Sequence, residues 1–214
     1  MGKYQHILWD LDGTLTDPAS GITKSVQYAL RKFGIESELE PLKPFIGPPL
    51  TDSFMKYFNF SPADADRAVE CYREYYREKG IFDNFVYDGI PELLAKLKAD
   101  GREIILATSK PIVFADKILA HFDLKQYFDA TFGADLAGNR VKKSDVIDYA
   151  LTHHSIDITK AVMVGDREYD ILGAHAFGIP AIGVLFGYGS REELENAGAE
   201  GIAATVAELG ELLD

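Results

Sequence analysis

A pair of carboxylates, Asp10 and Asp12, follows a short apolar run near the start of the chain. The run, Ile7-Leu8-Trp9, is typical of a buried strand, and sites in open α/β sheets form where strands end. Two carboxylates this close repel each other unless a cation lies between them, and Mg²⁺ prefers such oxygen ligands. Gly13 allows the chain to turn tightly after them. The alternative is a pair of solvated aspartates in an ordinary Asp-Gly turn.

Three further groups of polar residues occur later, and each has an ordinary structural alternative. Thr108 ends a second apolar run, where a hydroxyl either binds phosphate or caps a turn. Lys142 and Lys143 open a helical pattern, where an ammonium either holds an anion or lies in solvent. Asp166 and Asp170 follow a third apolar run and are four positions apart, so both face one side of a helix start. Acidic residues are also common there because the helix dipole favours them.

Taken in chain order, these groups resemble the motifs of the haloacid dehalogenase superfamily of phosphohydrolases. Asp10-Leu11-Asp12-Gly13-Thr14 is similar to the first motif, and Thr108 to the hydroxyl residue that ends the second strand. The lysine pair is similar to the third motif, and Gly165-Asp166-Arg167-Glu168-Tyr169-Asp170 to the fourth. The resemblance covers nearly the whole chain. It favours Lys143 over Lys142, because Lys143 directly precedes the helix cap as in related sequences, but either lysine can fill the position.

The resemblance implies a role for each of these residues. Asp10 attacks phosphorus and becomes phosphorylated, while Asp12 protonates the leaving oxygen and then deprotonates the attacking water. Mg²⁺ is held by Asp10, the backbone carbonyl of Asp12, and Asp166. Asp170 orients this group through water or through Lys143. The residues expected to bind the phosphate are Gly13, Thr108, Ser109 and Lys143.

Alternating strand and helix patterns position these residues. The predicted strands lack polar alternation, as buried parallel strands do, and after the first they cover 103–107, 130–132, 161–164 and 181–185. Helical patterns separate them, over 91–99, 144–151 and 169–177. The alternation predicts an α/β fold with a doubly wound, Rossmann-like parallel sheet, formed by residues 1–16 and 83–214.

The segment 17–82 interrupts this alternation, because it contains helical patterns and no convincing strand. One helix begins at Ser61-Pro62, a capping serine followed by proline at the first helical position. A crossover between strands is normally far shorter, so we infer an inserted helical domain. The insert resembles the C1 cap of the superfamily, a lid that excludes water. Its Gly47, Pro48 and Pro49 form a rigid turn that either contacts substrate or simply connects helices.

The composition restricts the partners of the protein. The chain has 214 residues, a formal net charge of −12 and one cysteine, Cys71. The acidic balance argues against a nucleic-acid polymer or an anionic membrane, because both require clusters of lysine and arginine. A lone cysteine forms no intrachain disulfide, and no signal-peptide pattern precedes Asp10, so we expect a cytoplasmic location. We expect a monomer or a homodimer.

The sequence therefore predicts a Mg²⁺-dependent phosphatase that acts on a small phosphorylated metabolite. Thr108-Ser109-Lys110-Pro111 and Gly47-Pro48-Pro49-Leu50 resemble the phosphoglycolate phosphatase-like subgroup, which also includes nucleotide hydrolases. A phosphomutase of the β-phosphoglucomutase type is one alternative, because it would share every motif. A non-enzymatic domain that accepts phosphate on aspartate is another, although it would need neither Asp12 nor the helical insert.

Overall fold

The computed structural model describes residues 3–136 and 140–214. The chain divides into two compact units, one comprising Met1–Thr16 with Val86–Asp214 and the other comprising Asp17–Phe85. The first unit contains a six-stranded sheet with flanking helices, and the second is mainly helical. The predicted insert, 17–82, lies within the second unit, and its role as a cap stays a prediction.

The strands of the described chain are, in order, β1 (His6–Trp9), β2 (Thr16–Asp17), β3 (Phe85–Val86), β4 (Glu103–Pro111), β5 (Ala130–Ala134), β6 (Ala161–Gly165), β7 (Ala181–Val184) and β8 (Gly201–Ala203). Six of them form a sheet in the order β5-β4-β1-β6-β7-β8, and each neighbouring pair is parallel. The short strands β2 and β3 pair with each other where the chain passes between the units. The predicted α/β class with a parallel sheet is confirmed.

The helices of the described chain are α1 (Ala19–Lys32), α2 (Leu50–Phe58), α3 (Pro62–Glu78), α4 (Ile90–Ala99), α5 (Ile112–His121), α6 (Lys143–His153), α7 (Glu168–His175), α8 (Arg191–Ala197) and α9 (Val206–Leu213). Short 3₁₀ turns cover Glu40–Phe45, Gly80–Phe82, Lys125–Tyr127 and Ile158–Lys160. No helix in the described part of the chain has the length and apolar character needed to cross a membrane.

The register of the sheet aligns β4 and β6 with the carboxyl end of β1, which lies between them. Trp9 of β1 pairs with Leu106 of β4 on one side and with Val164 of β6 on the other. The chain runs outward from β1 through β4 to β5 and then returns to β6 on the other side of β1. In parallel sheets, sites form at the carboxyl ends of strands near such a reversal. The residues that follow these three strand positions are therefore brought close together.

A continuous apolar core holds two helices against this part of the sheet. Leu8, Ile105 and Met163 face it from the sheet, and Val146 of α6 and Ile171 of α7 are packed with them. All five side chains are fully buried, and each contributes about 1.5–3 kcal/mol relative to an exposed position. This packing sets the positions of the first residues of α6 and α7, which carry the third and fourth motifs.

The second unit is organised by aromatic packing among its helices. Phe54 of α2 stacks on Phe60, with ring centroids 5.8 Å apart, and the rings of Phe45 and Phe54 form a T-shaped pair with centroids 5.0 Å apart. The predicted helix start at Ser61 is confirmed, because its Oγ accepts a hydrogen bond from the backbone N–H of Asp64 at 3.2 Å.

The main difference from the predicted elements lies at the end of β4. The expected strand covers 103–107, whereas β4 continues to Pro111. Its pairing with β5 shifts between Thr108 and Pro111, which is the geometry of a β-bulge. Polar residues and a proline obscure a strand in sequence, because they interrupt the apolar pattern. The three-residue strand β8 and the short helix α8 are too brief for their periodicity to be recognised.

Candidate active site

Asp10 lies directly after β1 at the carboxyl edge of the sheet. Its backbone N–H donates to the carbonyl oxygen of Val164 at 2.9 Å, which extends the pairing of β1 with β6 by one residue. The residue is only 9% exposed. A carboxylate this deeply buried requires a positively charged partner, because the cost of desolvating an unpaired charge is large.

The partner of Asp10 is Lys143, the first residue of α6. Its Nζ donates to Oδ1 of Asp10 at 2.7 Å and to the carbonyl oxygen of Ala107 at 2.8 Å, and lies 2.7 Å from Oδ1 of Asp170. Burial alone would lower the pKa of Lys143, but the attraction of Asp10 and Asp170 outweighs it and raises that pKa. Lys143 is therefore a charged bridge between two motifs, whereas Lys142 is exposed at the cap of the same helix.

Three carboxylates converge beside this lysine. Asp10, Asp166 and Asp170 offer oxygen atoms that all lie within 4.8 Å of one another, and all three residues are buried. Burial, together with the charges of Asp170 and Asp10, raises the pKa of Asp166 well above its usual range. Burial likewise raises the pKa of Asp170 to about 6, with Lys143 opposing the rise and Asp10 adding to it. The group carries more negative charge than Lys143 alone can neutralise.

This acidic group fits a hard divalent cation such as Mg²⁺. Its donors are all carboxylate oxygens, and Oδ1 of Asp166 is buried without a hydrogen-bond partner among the described residues. The sequence predicted Asp10 and Asp166 as ligands and placed Asp170 behind them. In the structure Asp170 belongs to the same group and also contacts Lys143, the lysine through which it was expected to act.

A loop after β7, to which none of the sequence motifs assigns a role, holds Asp166 in place. The backbone N–H of Tyr188 donates to Oδ2 of Asp166 at 2.8 Å. A side chain at Gly187 or Gly189 would collide with the backbone or side chain of Asp166, so only glycine allows this approach. The signal in the sequence is Gly187-Tyr188-Gly189 directly after a buried strand, because paired glycines there indicate close backbone contact.

Gly13 makes the tight turn that the sequence predicts after the two aspartates. Its φ of +85° is in the left-handed region, and a Cβ there would collide with the carboxylate of Asp166. Its N–H already donates to the carbonyl oxygen of Thr16 at 2.8 Å. The glycine thus provides the turn and the space beside Asp166, and its N–H is engaged within the turn. That Gly13 binds phosphate stays a prediction.

Asp12 is held by a lysine to which none of the sequence motifs assigns a role. Oδ2 of Asp12 lies 2.5 Å from Nζ of Lys110, and both side chains are largely buried. Burial raises the pKa of Asp12, and Lys110 opposes that rise. The carboxylate of Asp12 is not part of the acidic group formed by Asp10, Asp166 and Asp170. The available signal was Lys110 itself, two residues after the predicted phosphate-binding Thr108.

The remaining predicted residues occupy two places. Thr108 is 1% exposed, and its Oγ1 accepts the N–H of Lys110 at 3.2 Å, so the hydroxyl hydrogen can be donated to a ligand. Ser109 follows it in the bulge of β4. Gly47, Pro48 and Pro49 lie in the second unit just before α2, where Gly47 has a φ of +101°. Their contact with substrate stays a prediction.

Known proteins resemble this chain over nearly its whole length. A 5'-nucleotidase of Pseudomonas aeruginosa is 45% identical and spans 99% of this chain and 96% of that protein. The tyrosine-protein kinase PtkA of Mycobacterium tuberculosis is 37% identical over 98% of this chain and 72% of its own length. A phosphoglycolate phosphatase of Colwellia psychrerythraea is 25% identical, over 95% of this chain and 94% of that protein.

Solved structures show the same relationship. The crystal structure of a predicted phosphatase from Clostridium acetobutylicum has a TM-score of 0.95 and 51% identity to this chain, and covers 98% of this chain and 97% of that one. The family model of haloacid dehalogenase-like hydrolases matches residues 7–184, a range that includes every motif of the site. The resemblance stated from the sequence is confirmed. The chain belongs to the haloacid dehalogenase-like hydrolase family, and it is a phosphatase of that family.

Proposed function

We propose that the chain is a Mg²⁺-dependent phosphatase that hydrolyses small phosphate monoesters through a phosphorylated Asp10. One observation carries the proposal: the Asp10 carboxylate is bonded to Lys143 and also belongs to the acidic group with Asp166 and Asp170. A nucleophilic carboxylate must be held in place, and the hydrogen bond from Lys143 does this for Asp10. Mg²⁺, held by Asp10, Asp166 and the backbone carbonyl of Asp12, would supply positive charge to offset the phosphoryl group.

The first step transfers the phosphoryl group to the protein. An oxygen of Asp10 forms a bond to phosphorus while the bond between phosphorus and the ester oxygen breaks. Asp12 gives its proton to the departing oxygen, which leaves as an alcohol. Lys143, the hydroxyl of Thr108 and the backbone N–H of Ser109 stabilise the charge on the phosphoryl oxygens.

The second step releases phosphate. Asp12, now deprotonated, takes a proton from a water molecule as the water oxygen attacks phosphorus. The bond between phosphorus and Asp10 breaks, so that inorganic phosphate leaves and the carboxylate is restored. Asp12 needs to be close to the reacting oxygen in both steps, and its position two residues after Asp10 favours this proximity.

A nucleoside 5'-monophosphate is the substrate that we propose to test first. The relative named a 5'-nucleotidase is 45% identical to this chain, whereas the phosphoglycolate phosphatase is 25% identical. Phosphoglycolate is the second substrate to test. We propose that Gly47, Pro48 and Pro49 face the leaving group. The cytoplasmic location and the monomeric or homodimeric state stay predictions.

A phosphotransferase is the second candidate, because the same first step serves when the acceptor is not water. The relative named a tyrosine-protein kinase, at 37% identity over 98% of this chain, favours this candidate. The phosphomutase predicted as an alternative from the sequence is of the same kind. Both differ from a phosphatase in how long the phosphorylated Asp10 survives in water.

The test is phosphate release from nucleoside monophosphates, phosphoglycolate and sugar phosphates in the presence of Mg²⁺. We expect sustained turnover in the wild type, none in Asp10→Asn, and wild-type turnover in Asp148→Asn, which changes an exposed aspartate of α6. Isomerised sugar phosphate that requires a bisphosphate activator would indicate a mutase. Transfer to tyrosine without phosphate release would indicate a kinase. Absence of turnover on every ester by folded, Mg²⁺-loaded protein would overturn the proposal.

A further inference from the structure

The two carboxylate oxygens of Asp12 have different surroundings. Oδ2 lies 2.5 Å from Nζ of Lys110. Oδ1 is buried and has no hydrogen-bond partner among the described residues. An unpartnered buried oxygen is costly, so its presence calls for an explanation such as a catalytic role. Oδ2 of Asp12 is therefore held by Lys110, whereas Oδ1 is available to bond with a reacting group.

The local backbone places Lys110 beside Asp12. The β-bulge at the end of β4 inserts Ser109 and Lys110 between two residues that pair regularly with β5. Bulges commonly redirect a side chain next to an active site. On β5, Gly133 makes room for the bulge, because a Cβ there would lie 2.7 Å from the carbonyl oxygen of Lys110. The N–H of Lys110 is tied to Oγ1 of Thr108 at 3.2 Å.

Stability alone is a weak reason for such a pair. The side chains of Lys110 and Asp12 are 6% and 14% exposed, so both charges are largely removed from water. The attraction within a buried ion pair often does no more than offset the desolvation of its members. Lys143 already pairs with Asp10. Lys110 is a second buried lysine, and it pairs with Asp12, the second aspartate of the first motif.

Donor and acceptor chemistry then decides which oxygen carries the proton. An ammonium has only donors, so Oδ2 must remain an acceptor as long as Lys110 is bonded to it. A proton on Asp12 is therefore directed to Oδ1, and Oδ2 remains the carbonyl oxygen of the acid. When Oδ1 loses the proton, the contact with Lys110 persists. The carboxyl group can thus release and accept a proton without turning.

We infer that Lys110 is a positioning residue that holds Asp12 through Oδ2 and leaves Oδ1 to exchange protons with the leaving group and with water. The inference rests on the proposed phosphatase mechanism, in which Asp12 is the acid and base. It adds to that mechanism the oxygen that carries the proton, Oδ1 of Asp12, and a residue, Lys110, that affects the chemistry only through Asp12.

The experiment measures kcat/KM for two esters in Lys110→Met, which keeps the length of the side chain and removes the charge. Nitrophenyl phosphate has a good leaving group that needs little protonation, whereas a nucleoside monophosphate has a poor one. Because kcat/KM reports steps up to phosphoryl transfer, the proton given by Asp12 affects it directly. We expect the variant to lose about 10-fold more on the nucleotide than on the nitrophenyl ester.

Two further variants test whether Lys110 acts through Asp12. The double variant Lys110→Met with Asp12→Asn is expected to lose no more than Asp12→Asn alone, because residues that act as a unit are not additive. Lys110→Arg, which keeps the charge, is expected to recover part of the loss on the nucleotide. Lys125→Met, which breaks an exposed lysine–aspartate pair, is the matched control and should lose nothing.

The outcomes separate this inference from the proposed function. Equal losses on both esters, or losses that add to those of Asp12→Asn, would show that Lys110 has only a structural role and would overturn the inference. If Lys110→Met does not fold, the same comparison of esters is made with Lys110→Arg and Lys110→Gln, and equal losses on the two esters again contradict it. The proposed function fails separately, if the wild type shows no turnover that depends on Asp10.

Discussion

Lys143 and Asp10 lie 133 positions apart in the chain, yet Nζ of Lys143 donates to Oδ1 of Asp10 at 2.7 Å. The same ammonium lies 2.7 Å from Oδ1 of Asp170. One buried cation thus joins the first, third and fourth motifs at the carboxyl edge of the sheet. Because each partner is itself buried, the geometry of all three groups depends on the others.

Lys143→Met is expected to abolish phosphatase activity and to lower the free energy of unfolding by about 3–5 kcal/mol, because it leaves two buried carboxylates without their ammonium. Urea unfolding measures the stability, with and without Mg²⁺, and Mg²⁺ should restore part of the loss. Lys142→Met is the control and should retain both activity and stability, because Lys142 is exposed. Loss of activity in Lys142→Met alone would mean that the wrong lysine has been assigned.

Asp166→Asn is expected to stabilise the metal-free protein and to weaken Mg²⁺ binding. The change removes one charge from a crowded acidic group, while the remaining carbonyl oxygen still accepts the N–H of Tyr188. A gain of about 1 kcal/mol corresponds to a rise in Tm of about 2–4 °C for a chain of this size. Thermal unfolding in chelator and in Mg²⁺ tests both effects. A lower Tm in chelator would show that Asp166 is not destabilised by its neighbours.

Gly187→Ala is expected to reduce Mg²⁺ affinity about 10–100-fold, because the new methyl group displaces Asp166 from its hydrogen bond with Tyr188. The matched control is Gly210→Ala in α9, where a Cβ would lie at an ordinary 3.4 Å from Leu93. Titration calorimetry with Mg²⁺ measures both variants. Equal affinities in the two variants would show that the loop does not position Asp166.

Asp129→Asn is expected to lower the free energy of unfolding at pH 7 by about 1 kcal/mol. Burial alone would raise the pKa of Asp129, but the bonds from Lys98 at 2.5 Å and from the N–H of Ile104 at 2.9 Å outweigh it and lower that pKa. A lowered pKa stabilises the folded protein above the ordinary value of 3.8. This contribution is lost as the pH falls through the folded value.

Urea unfolding at a series of pH values therefore tests the linkage at Asp129. The difference between the wild type and Asp129→Asn should be greatest near neutrality and should shrink below pH 3.8. Asp148→Asn, on the exposed face of α6, should show no such difference. A difference that is independent of pH would mean that the side chain acts through packing and not through its charge.

The sequence by itself determined the fold class and the family motifs that form the candidate site. Apolar runs mark β1, β4, β6 and β7, because a strand buried on both faces is apolar along its length. Such a run can be recognised without knowing which strands lie beside it. Asp10, Asp12, Asp166 and Asp170 are recognisable because they follow such runs at short, fixed spacings.

Only the tertiary structure decided which side chains meet. Lys143 rather than Lys142 reaches Asp10 because the core packing of α6 sets the direction of its first turn. The contact of Lys110 with Asp12 depends on a β-bulge, and the support of Asp166 depends on the loop around Gly187. These contacts join residues that are distant in the chain. A local sequence pattern does not show how neighbouring strands are aligned, or which side chains on them are close enough to touch.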